Sequence, residues 1–521
     1  MSLVELHRTA AKPMIGRVAP LVFYGGATVL MAAAIVFGFA MSISDWTAGT
    51  LVVLPLVAIT ALWISGGAAT AILGLFTTVS RPAPVPLGWV PAARTAILVT
   101  ICGEDPVPIA RYLAALRGGL DKAGFCNATE IFVLSDTSNA VCITAEEDAF
   151  LPLHADGTLS YRRRSRNVGR KPGNISDWLT THGGGFAYML VLDADSRMSA
   201  HRIRKMVWHI EKRPDLGLLQ AGIALVPGVT RFGRHQRVAA RLLSRNFGRG
   251  FASWTGNSGN YWGHNAIMRT VAFREAAQLP GLSGPAPFGG DILSHDFIEA
   301  AWIRRAGWSV ALDPEPLGSA ENAPQTLAEF HRRDRRWCQG NLQHLRLLAE
   351  PGLCAISRVH LAAGIVSYLA APVWLILIAL IASGAVPVSG GLPLLLVATV
   401  LVLPKLCAMA DWMGRTRTLR RRMVALRALT GELFLSSLTA PLVMVRHAGS
   451  VASVCMGQDC GWKSGKMQRF RLPEGVPEMG VGGGLFLLAW LANGSAVLWL
   501  VPVVLPLCAA PLIARVLNAP A

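Results

Sequence analysis

Asp193-Ala194-Asp195 follows the apolar run Tyr188-Met189-Leu190-Val191-Leu192. At the end of a strand, carboxylates at positions i and i+2 point the same way, and hard oxygen ligands of this kind suit Mg2+ or Mn2+ carrying a diphosphate. The spacing alone is a weak signal, because a chain with 16 aspartates has odds of about one half of containing such a pair by chance. A solvated turn or a helix cap uses the same residue types. The neighbours of the pair say more. Glu104 and Asp105 follow the β-branched run 95–102, Asp136 follows 131–135, and Asp296 stands in Leu293-Ser294-His295-Asp296-Phe297. These positions bring several acids to one sheet edge, where open α/β sheets bind ligands. Asp296 keeps two readings: with Glu299 it makes a D-x-x-E helix start, or it joins the other carboxylates at the sheet edge.

A second constellation lies downstream, in Arg332-Arg333-Asp334-Arg335-Arg336-Trp337-Cys338-Gln339-Gly340-Asn341. On a helix the arginines could be a solvated face and Trp337 a core or membrane-edge anchor. The alternative is that Arg336 neutralises a leaving diphosphate while Trp337 stacks on a sugar ring, tasks that suit a planar guanidinium and an aromatic face.

The elements that must hold these residues belong partly to a membrane. Of 521 residues, 52% are hydrophobic and 15% charged, a balance unlike that of an ordinary soluble enzyme. The length accommodates a soluble domain of roughly 250 residues and several spans of about 20 residues each. Segment 1–20 is read as a cytosolic N-terminus leading into a retained anchor, and 21–80 as a transmembrane hairpin with charge-free spans at 21–43 and within 47–80. His7, Arg8, Lys12 and Arg17 precede the hairpin and Arg81 and Arg94 follow it, so the positive-inside rule places both ends in the cytoplasm.

From 93 to 358 short β-branched runs alternate with amphipathic segments, the pattern of a mostly parallel α/β sheet. Strands are expected at 95–102, 130–135, 159–163, 187–192, 216–221 and 309–312, and helices at 107–122, 201–212, 297–306 and 327–348. A second hairpin is expected over 361–414, then a basic interfacial helix over 415–430 on anionic lipid. Glu432, Arg446 and His447 break the apolar pattern of 431–456 and suggest a short hairpin or re-entrant segment. Residues 457–483 read as a cytosolic loop, with Gly461-Trp462-Lys463-Ser464-Gly465-Lys466 as a lid or a plain interfacial loop, and 484–515 as the last spans, six to eight in all.

The formal charge of +18 sits beside apolar stretches and in one central region without a nucleic-acid motif, so anionic lipid and an anionic substrate explain it better. Nine cysteines show no zinc-binding spacing, and reduced thiols are the default.

These passages, together with Arg170-Lys171-Pro172-Gly173-Asn174 and Gly259-Asn260-Tyr261-Trp262-Gly263-His264-Asn265-Ala266, resemble the processive glycosyltransferases of family 2, the group of cellulose and hyaluronan synthases. Within it the chain looks most like the branch that makes osmoregulated periplasmic glucan from UDP-glucose. The resemblance runs from roughly 94 to 368 and implies a cytosolic α/β domain of the GT-A, Rossmann-like type set in a polytopic helical membrane domain. It implies that Glu104 and Asp136 line the uridine pocket, that Lys171 and Asn174 contact the nucleotide, and that Asp193 and Asp195 form the metal-binding D-x-D, Asp195 being the direct ligand. Asp296 matches the general base, Arg336 and Trp337 the end of a Q-x-x-R-W motif, and Tyr261, Trp262, His264 and Asn265 the wall around the acceptor. Arg333 stands where that motif has Gln.

The resemblance further implies Mg2+ (or Mn2+), a growing glucan acceptor, a β-1,2 backbone and the inner membrane. Acyl carrier protein and a periplasmic glucan-processing protein come with it as partners, without residues to hold them. A cellulose-like or hyaluronan-like synthase, a single-sugar lipid-linked transferase, and a carrier that merely binds a nucleotide sugar are the competing readings.

Overall fold

The computed structural model describes residues 18–77, 84–460, 473–492, 494 and 496–521. His7, Arg8, Lys12, Arg17, Arg81 and the basic segment considered as a lid lie outside the described residues. The chain enters on two antiparallel apolar helices, α1 (Val18–Met41) and α2 (Ala48–Phe76), the second opened by a reciprocal cap between Thr47 and Thr50.

The α/β domain follows in the order β1 (Thr95–Ile101), α3 (Pro106–Lys122), β2 (Thr129–Ser135), α4 (Ala140–Ala155), β3 (Ser160–Arg163), α5 (Arg170–Thr181) and β4 (Tyr188–Asp193). It continues through β5 (Arg197–Met198), α6 (Ala200–Lys212), β6 (Leu216–Ala221), β7 (Ala224–Leu225), α7 (Arg231–Thr255), β8 (Ala266–Arg269) and α8 (Thr270–Ala276). It ends with α9 (His295–Arg305), β9 (Ser309–Asp313), β10 (Ser319–Glu321) and α10 (Leu327–Gln343).

Seven strands form one sheet in the order β3-β2-β1-β4-β8-β6-β9, parallel except for β8, which runs antiparallel to both of its neighbours. The chain first builds outward from β1 through β2 to β3 and then returns to place β4 on the other side of β1. That reversal opens a crevice at the carboxyl ends of β1 and β4, the position where such sheets hold ligands. Both faces of the sheet are covered. Leu190 and Leu192 of β4 join Ile97, Val99 and Leu113 in one core, while Met189 and Val191 join Leu98, Trp178 and Ile303 in the other. Burial on both sides is why these strands read as continuous apolar runs.

The apolar runs mark six of the seven strands of this sheet, whereas β8 and several helices, α7 among them, escape the sequence reading. The buried positions of α7, Phe232, Gly233, Leu242, Asn246, Gly250, Trp254 and Thr255, include two polar residues and two glycines that dilute the apolar stripe. Asn246 and Gly250 are there for backbone contact. A Cβ on Gly250 would lie 1.9 Å from the Thr70 carbonyl oxygen, one on Gly74 would lie 2.1 Å from that of Asn246, and Asn246 Nδ2 donates to Ala71 O at 2.8 Å. The domain is thereby seated directly on α2.

Beyond α10 come α11 (Ala355–Ala382), α12 (Leu392–Arg415), α13 (Leu419–Cys455), α14 (Val476–Ala492), α15 (Ala496–Cys508) and α16 (Ala510–Asn518). Among the described residues five helices, α1, α2, α11, α12 and α13, are long and apolar enough to cross a bilayer, and α15 with α16, bent by 52°, makes up to six. The chain is a membrane protein of several apolar helices around one α/β domain.

One expectation is corrected. The sequence suggests an interfacial helix followed by a hairpin or re-entrant segment over 415–456, but a single 37-residue helix, α13, runs through that region. The polar residues that suggested a break are each paired to a different helix. Glu432 meets Lys405 of α12 at 2.7 Å, Arg446 meets Glu478 of α14, and His447 meets Asp334 of α10 at 2.6 Å. Paired side chains leave the helical backbone no reason to break. The arginines Arg420, Arg421, Arg422 and Arg427 lie exposed on its first turns. Its beginning packs against Leu242 of α7 and its end against Cys338 and Leu342 of α10.

Candidate active site

β4 ends on Asp193, in register with Thr100 of β1. The turn that follows is closed by Ser196, whose hydroxyl accepts from Asp193 N at 3.0 Å. Lys171, in the first turn of α5, places its ammonium on the Asp193 carboxylate and also donates to the Gly263 carbonyl at 2.7 Å. Gly263 has φ +88, a left-handed conformation that turns its carbonyl toward Lys171 and the Tyr261 hydroxyl, and Asp296 Oδ2 packs 3.5 Å from where its Cβ would stand. Three separate parts of the chain, the strand end, the start of α5 and the Tyr261–Asn265 loop, are thus tied around one carboxylate.

A cavity of about 770 Å³ opens at this point. Lys171, Asp193, Trp262, His264, Asp296, Glu321, Arg333, Arg336 and Trp337 line one part of it. Trp63 of α2, Phe251 of α7, and His360 and Tyr368 of α11 line the other, so the space extends from the sheet edge to the apolar helices. A second, slightly larger cavity beside α5 and α8 contains neither Asp193, Asp296 nor Arg336.

The electrostatics separate the two acids of the pair. Burial works against charge on Asp193, but Lys171 and His264 hold its carboxyl down at about 2. Asp195 is raised above the usual carboxylate value, by burial and then by Asp193 and Glu321 beside it. Burial and two neighbouring acids disfavour charge on Asp195, a cost that a divalent cation held by Asp195 and Asp193 would offset. Among the described residues no group of three His, Cys, Asp or Glu forms a full metal cage, so diphosphate oxygens would complete the coordination, as is usual for Mg2+.

His264 is almost fully buried, with Nε2 3.1 Å from Glu321 and Nδ1 3.1 Å from Ser196 Oγ. Burial opposes its protonation, but Asp193 and Glu321 raise its pKa.

Asp296 sits in the first turn of α9, whose cap position is taken by Ser294. The helix-start reading is not what the structure has: Glu299, its partner in D-x-x-E, pairs with His295 at 3.1 Å. The Asp296 carboxyl is raised above its ordinary value, chiefly by burial, and Glu299 adds to the rise.

α10 fixes this segment from behind. His344, just past its end, has Nε2 2.9 Å from Ser294 O, and Gln343 Oε1 accepts from Leu293 N at 2.9 Å. On the same helix the Arg333 guanidinium lies 4.6 Å over the Trp337 ring and 3.5 Å from Glu321. The residue that replaces Gln in the motif therefore braces the tryptophan and the acid beside His264. Burial and the neighbouring Arg333 lower the Arg336 pKa from its ordinary value, yet a guanidinium stays protonated.

Other expected site residues lie elsewhere. Asp136 is buried and gripped by Arg164 through two bonds of 2.7 and 2.8 Å, so both carboxylate oxygens already face a cation. Glu104 turns back to accept from Cys102 N, at the end of β1 beside β2, and Asp105 caps α3. Asn174 is 1% exposed and accepts from Arg162 at 2.6 Å, so it supports the fold behind Lys171 and does not line the cavity. Of the four acceptor-wall residues, Trp262 and His264 line the cavity. Tyr261 and Asn265 are 1% and 0% exposed and act from behind, Tyr261 in the core and Asn265 bonded to Ser319 at 2.9 Å.

Sequence reasoning passed over Glu321, Gln220, Arg164, Gln343 and His344. Gln220, fully buried on β6, accepts from Trp262 N at 2.9 Å and donates to His264 O at 3.0 Å, shaping the loop from the next strand but one. None of these residues carries a local spacing signal; each acquires its role only when distant strands and helices meet.

Residues 97–276 match the profile of glycosyl transferase family 2, and residues 188–409 that of glycosyl transferase family group 2. The first runs from β1 to the end of α8 and takes in every strand of the mixed sheet but β9. Among solved structures, the chain has a TM-score of 0.42 and 14% identity to the mannosyltransferase PcManGT from Pyrobaculum calidifontis in complex with GDP-Man and Mn2+, over 77% of this chain and 98% of that one. Among curated proteins, it is 37% identical over 524 residues to glucans biosynthesis glucosyltransferase H of Shewanella sp. (strain ANA-3), covering 91% of this chain and 72% of that protein. The protein of the same name from Vibrio cholerae serotype O1 is 40% identical over 456 residues, with 81% and 63% covered. The chain belongs to the glucans biosynthesis glucosyltransferase H family, within glycosyltransferase family 2.

Proposed function

We propose that this glycosyltransferase polymerises glucose from UDP-glucose into a β-linked glucan, with a β-1,2 backbone by family resemblance, and passes the product through its own membrane helices. The observation that carries the reading is the single cavity holding Asp193, Asp296, Arg336 and Trp337 at one end and Trp63, Phe251, His360 and Tyr368 at the other. A donor site continuous with a space between apolar helices is what a synthase that exports its product requires. With the positive-inside arrangement, the α/β domain faces the cytosol, where UDP-glucose is available.

Asp195 and Asp193 would hold Mg2+ or Mn2+, which when bound neutralises charge on the departing diphosphate. Lys171 and Arg336 approach the same diphosphate from the protein side. Trp337 and Trp262 offer aromatic faces to the acceptor sugar. Asp296 takes the proton of the acceptor hydroxyl as that oxygen bonds to the anomeric carbon and the bond to UDP breaks. One such displacement converts an α-linked donor into a β-linkage.

The test is UDP release by the detergent-purified protein with Mg2+ or Mn2+, comparing UDP-glucose with UDP-N-acetylglucosamine and UDP-galactose, followed by sizing and linkage analysis of the product. Release from UDP-glucose with a long β-glucan product is expected. A preference for another donor, or transfer of one sugar per acceptor, would sink the proposal.

A further inference from the structure

The acid inside the arginine-rich motif is turned away from the reaction. Asp334, on α10 between Arg333 and Arg336, is buried at 6% exposure. Its Oδ1 accepts from the Tyr368 hydroxyl of α11 at 3.0 Å, and its Oδ2 lies 2.6 Å from His447 Nε2 of α13. The Tyr368 and His447 rings stand 5.0 Å apart. Three helices therefore meet on one carboxylate. One residue further along α10, Arg335 donates to Ser453 of α13 at 2.8 Å, a second tie between the same two helices. No step of the transfer uses Asp334 or His447.

We propose that Asp334, Tyr368 and His447 form a positioning clamp that sets how far Arg336 and Trp337 reach into the cavity and how the Tyr368 ring lies along its wall. The inference rests on the reading of that cavity as the donor and acceptor site. Asp334 stands two residues before Arg336 and three before Trp337, so a shift or rotation of α10 at the clamp is transmitted to both. Tyr368 belongs to the clamp and to the cavity wall at once. A buried carboxyl contacted at both oxygens admits few arrangements of its partners, and removing one partner leaves a buried oxygen without its neighbour. His447 thus makes the geometry of the site depend on α13, a helix with no residue in the cavity wall.

Displacing positioned groups by an ångström costs on the order of a hundredfold in rate, so His447→Ala is expected to lower kcat for UDP release by about tenfold or more while the UDP-glucose KM moves less than about threefold. The glucan should also be shorter, because the acceptor wall is loosened. His447→Gln, whose amide N–H can approach the same carboxylate, should recover most of the rate. The double variant Asp334→Asn with His447→Ala should be no worse than the more impaired single variant, because the two act as one unit. Tyr368→Phe, which removes only one hydroxyl, should fold and still shift product length, and it stands in for His447→Ala if that variant fails to fold.

Equal activity of the Ala and Gln variants, additive losses in the double variant, or an unchanged product length with Tyr368→Phe would each overturn the clamp. Wild-type protein that releases no UDP from UDP-glucose would instead overturn the assignment of the site.

Discussion

Lys171 places its ammonium on the Asp193 carboxylate and joins it to the loop that carries Trp262 and His264 through the Gly263 carbonyl. The lysine has two effects. It keeps Asp193 ionised against the cost of burial, and it supplies positive charge where a diphosphate would lie. Lys171→Met should raise the UDP-glucose KM by about tenfold, the scale of one charge-assisted contact, with a smaller fall in kcat. UDP-release kinetics over a range of donor concentrations check this, and an unchanged KM would remove Lys171 from the donor site.

Asp296 carries the next prediction. Its carboxyl is raised chiefly by burial, and a base works only when deprotonated, so kcat should fall as pH drops through a value above the ordinary carboxylate range. The sign is definite: activity rises with pH across this limb, and an unperturbed carboxylate would put the loss at lower pH. Asp296→Asn should cut kcat by about 10²–10⁴-fold, the usual contribution of a general base, and leave UDP binding intact by calorimetry. Full turnover in that variant would assign the proton to another group.

Much of this site was legible because local rules act on it. Asp193 and Asp195 stand at the end of a doubly buried strand, Asp296 lies in the first turn of a helix, and Arg336 with Trp337 lies on a helix whose period is clear. Other roles depended on contacts that spacing does not encode. Asp136 and Asn174 belong to the motifs but spend their oxygens on Arg164 and Arg162. Tyr261 was expected in the wall around the acceptor and is core. Glu321 lies far along the chain from His264 and meets it only through the small sheet of β5, β10 and β7. The same limit applies to α13: Glu432, Arg446 and His447 read as breaks until the three partner helices are in place.

Gln343 and His344 give a prediction that the motif residues do not. They hold the backbone at Leu293 and Ser294 while Asp296 points into the cavity two residues later. His344→Ala should lower kcat by about tenfold with little change in donor KM, because the displaced group is the proposed base and not the donor pocket. The acid limb of the pH profile should also move toward ordinary carboxylate values as water reaches Asp296. A rise in KM of the same size as the fall in kcat would place His344 in the donor pocket instead.

The seat of the domain on the membrane helices can be tested with two glycines in long helices. A Cβ at Gly250 of α7 would meet the Thr70 carbonyl oxygen of α2 at 1.9 Å, with backbone and no flexible side chain in the way, whereas a Cβ at Gly431 of α13 meets nothing within 4 Å. Gly431→Ala should therefore be neutral or stabilising by up to about 1 kcal/mol, the helix-propensity difference. Gly250→Ala gains the same propensity but has to push α7 from α2, an overpacking that costs about 1–3 kcal/mol. Its melting temperature in detergent should drop below that of the Gly431 variant. Because Phe247 and Phe251 line the cavity from α7, its product should shorten as well. Matching melting temperatures for the two variants would mean that the α2–α7 contact bears no load in seating the domain.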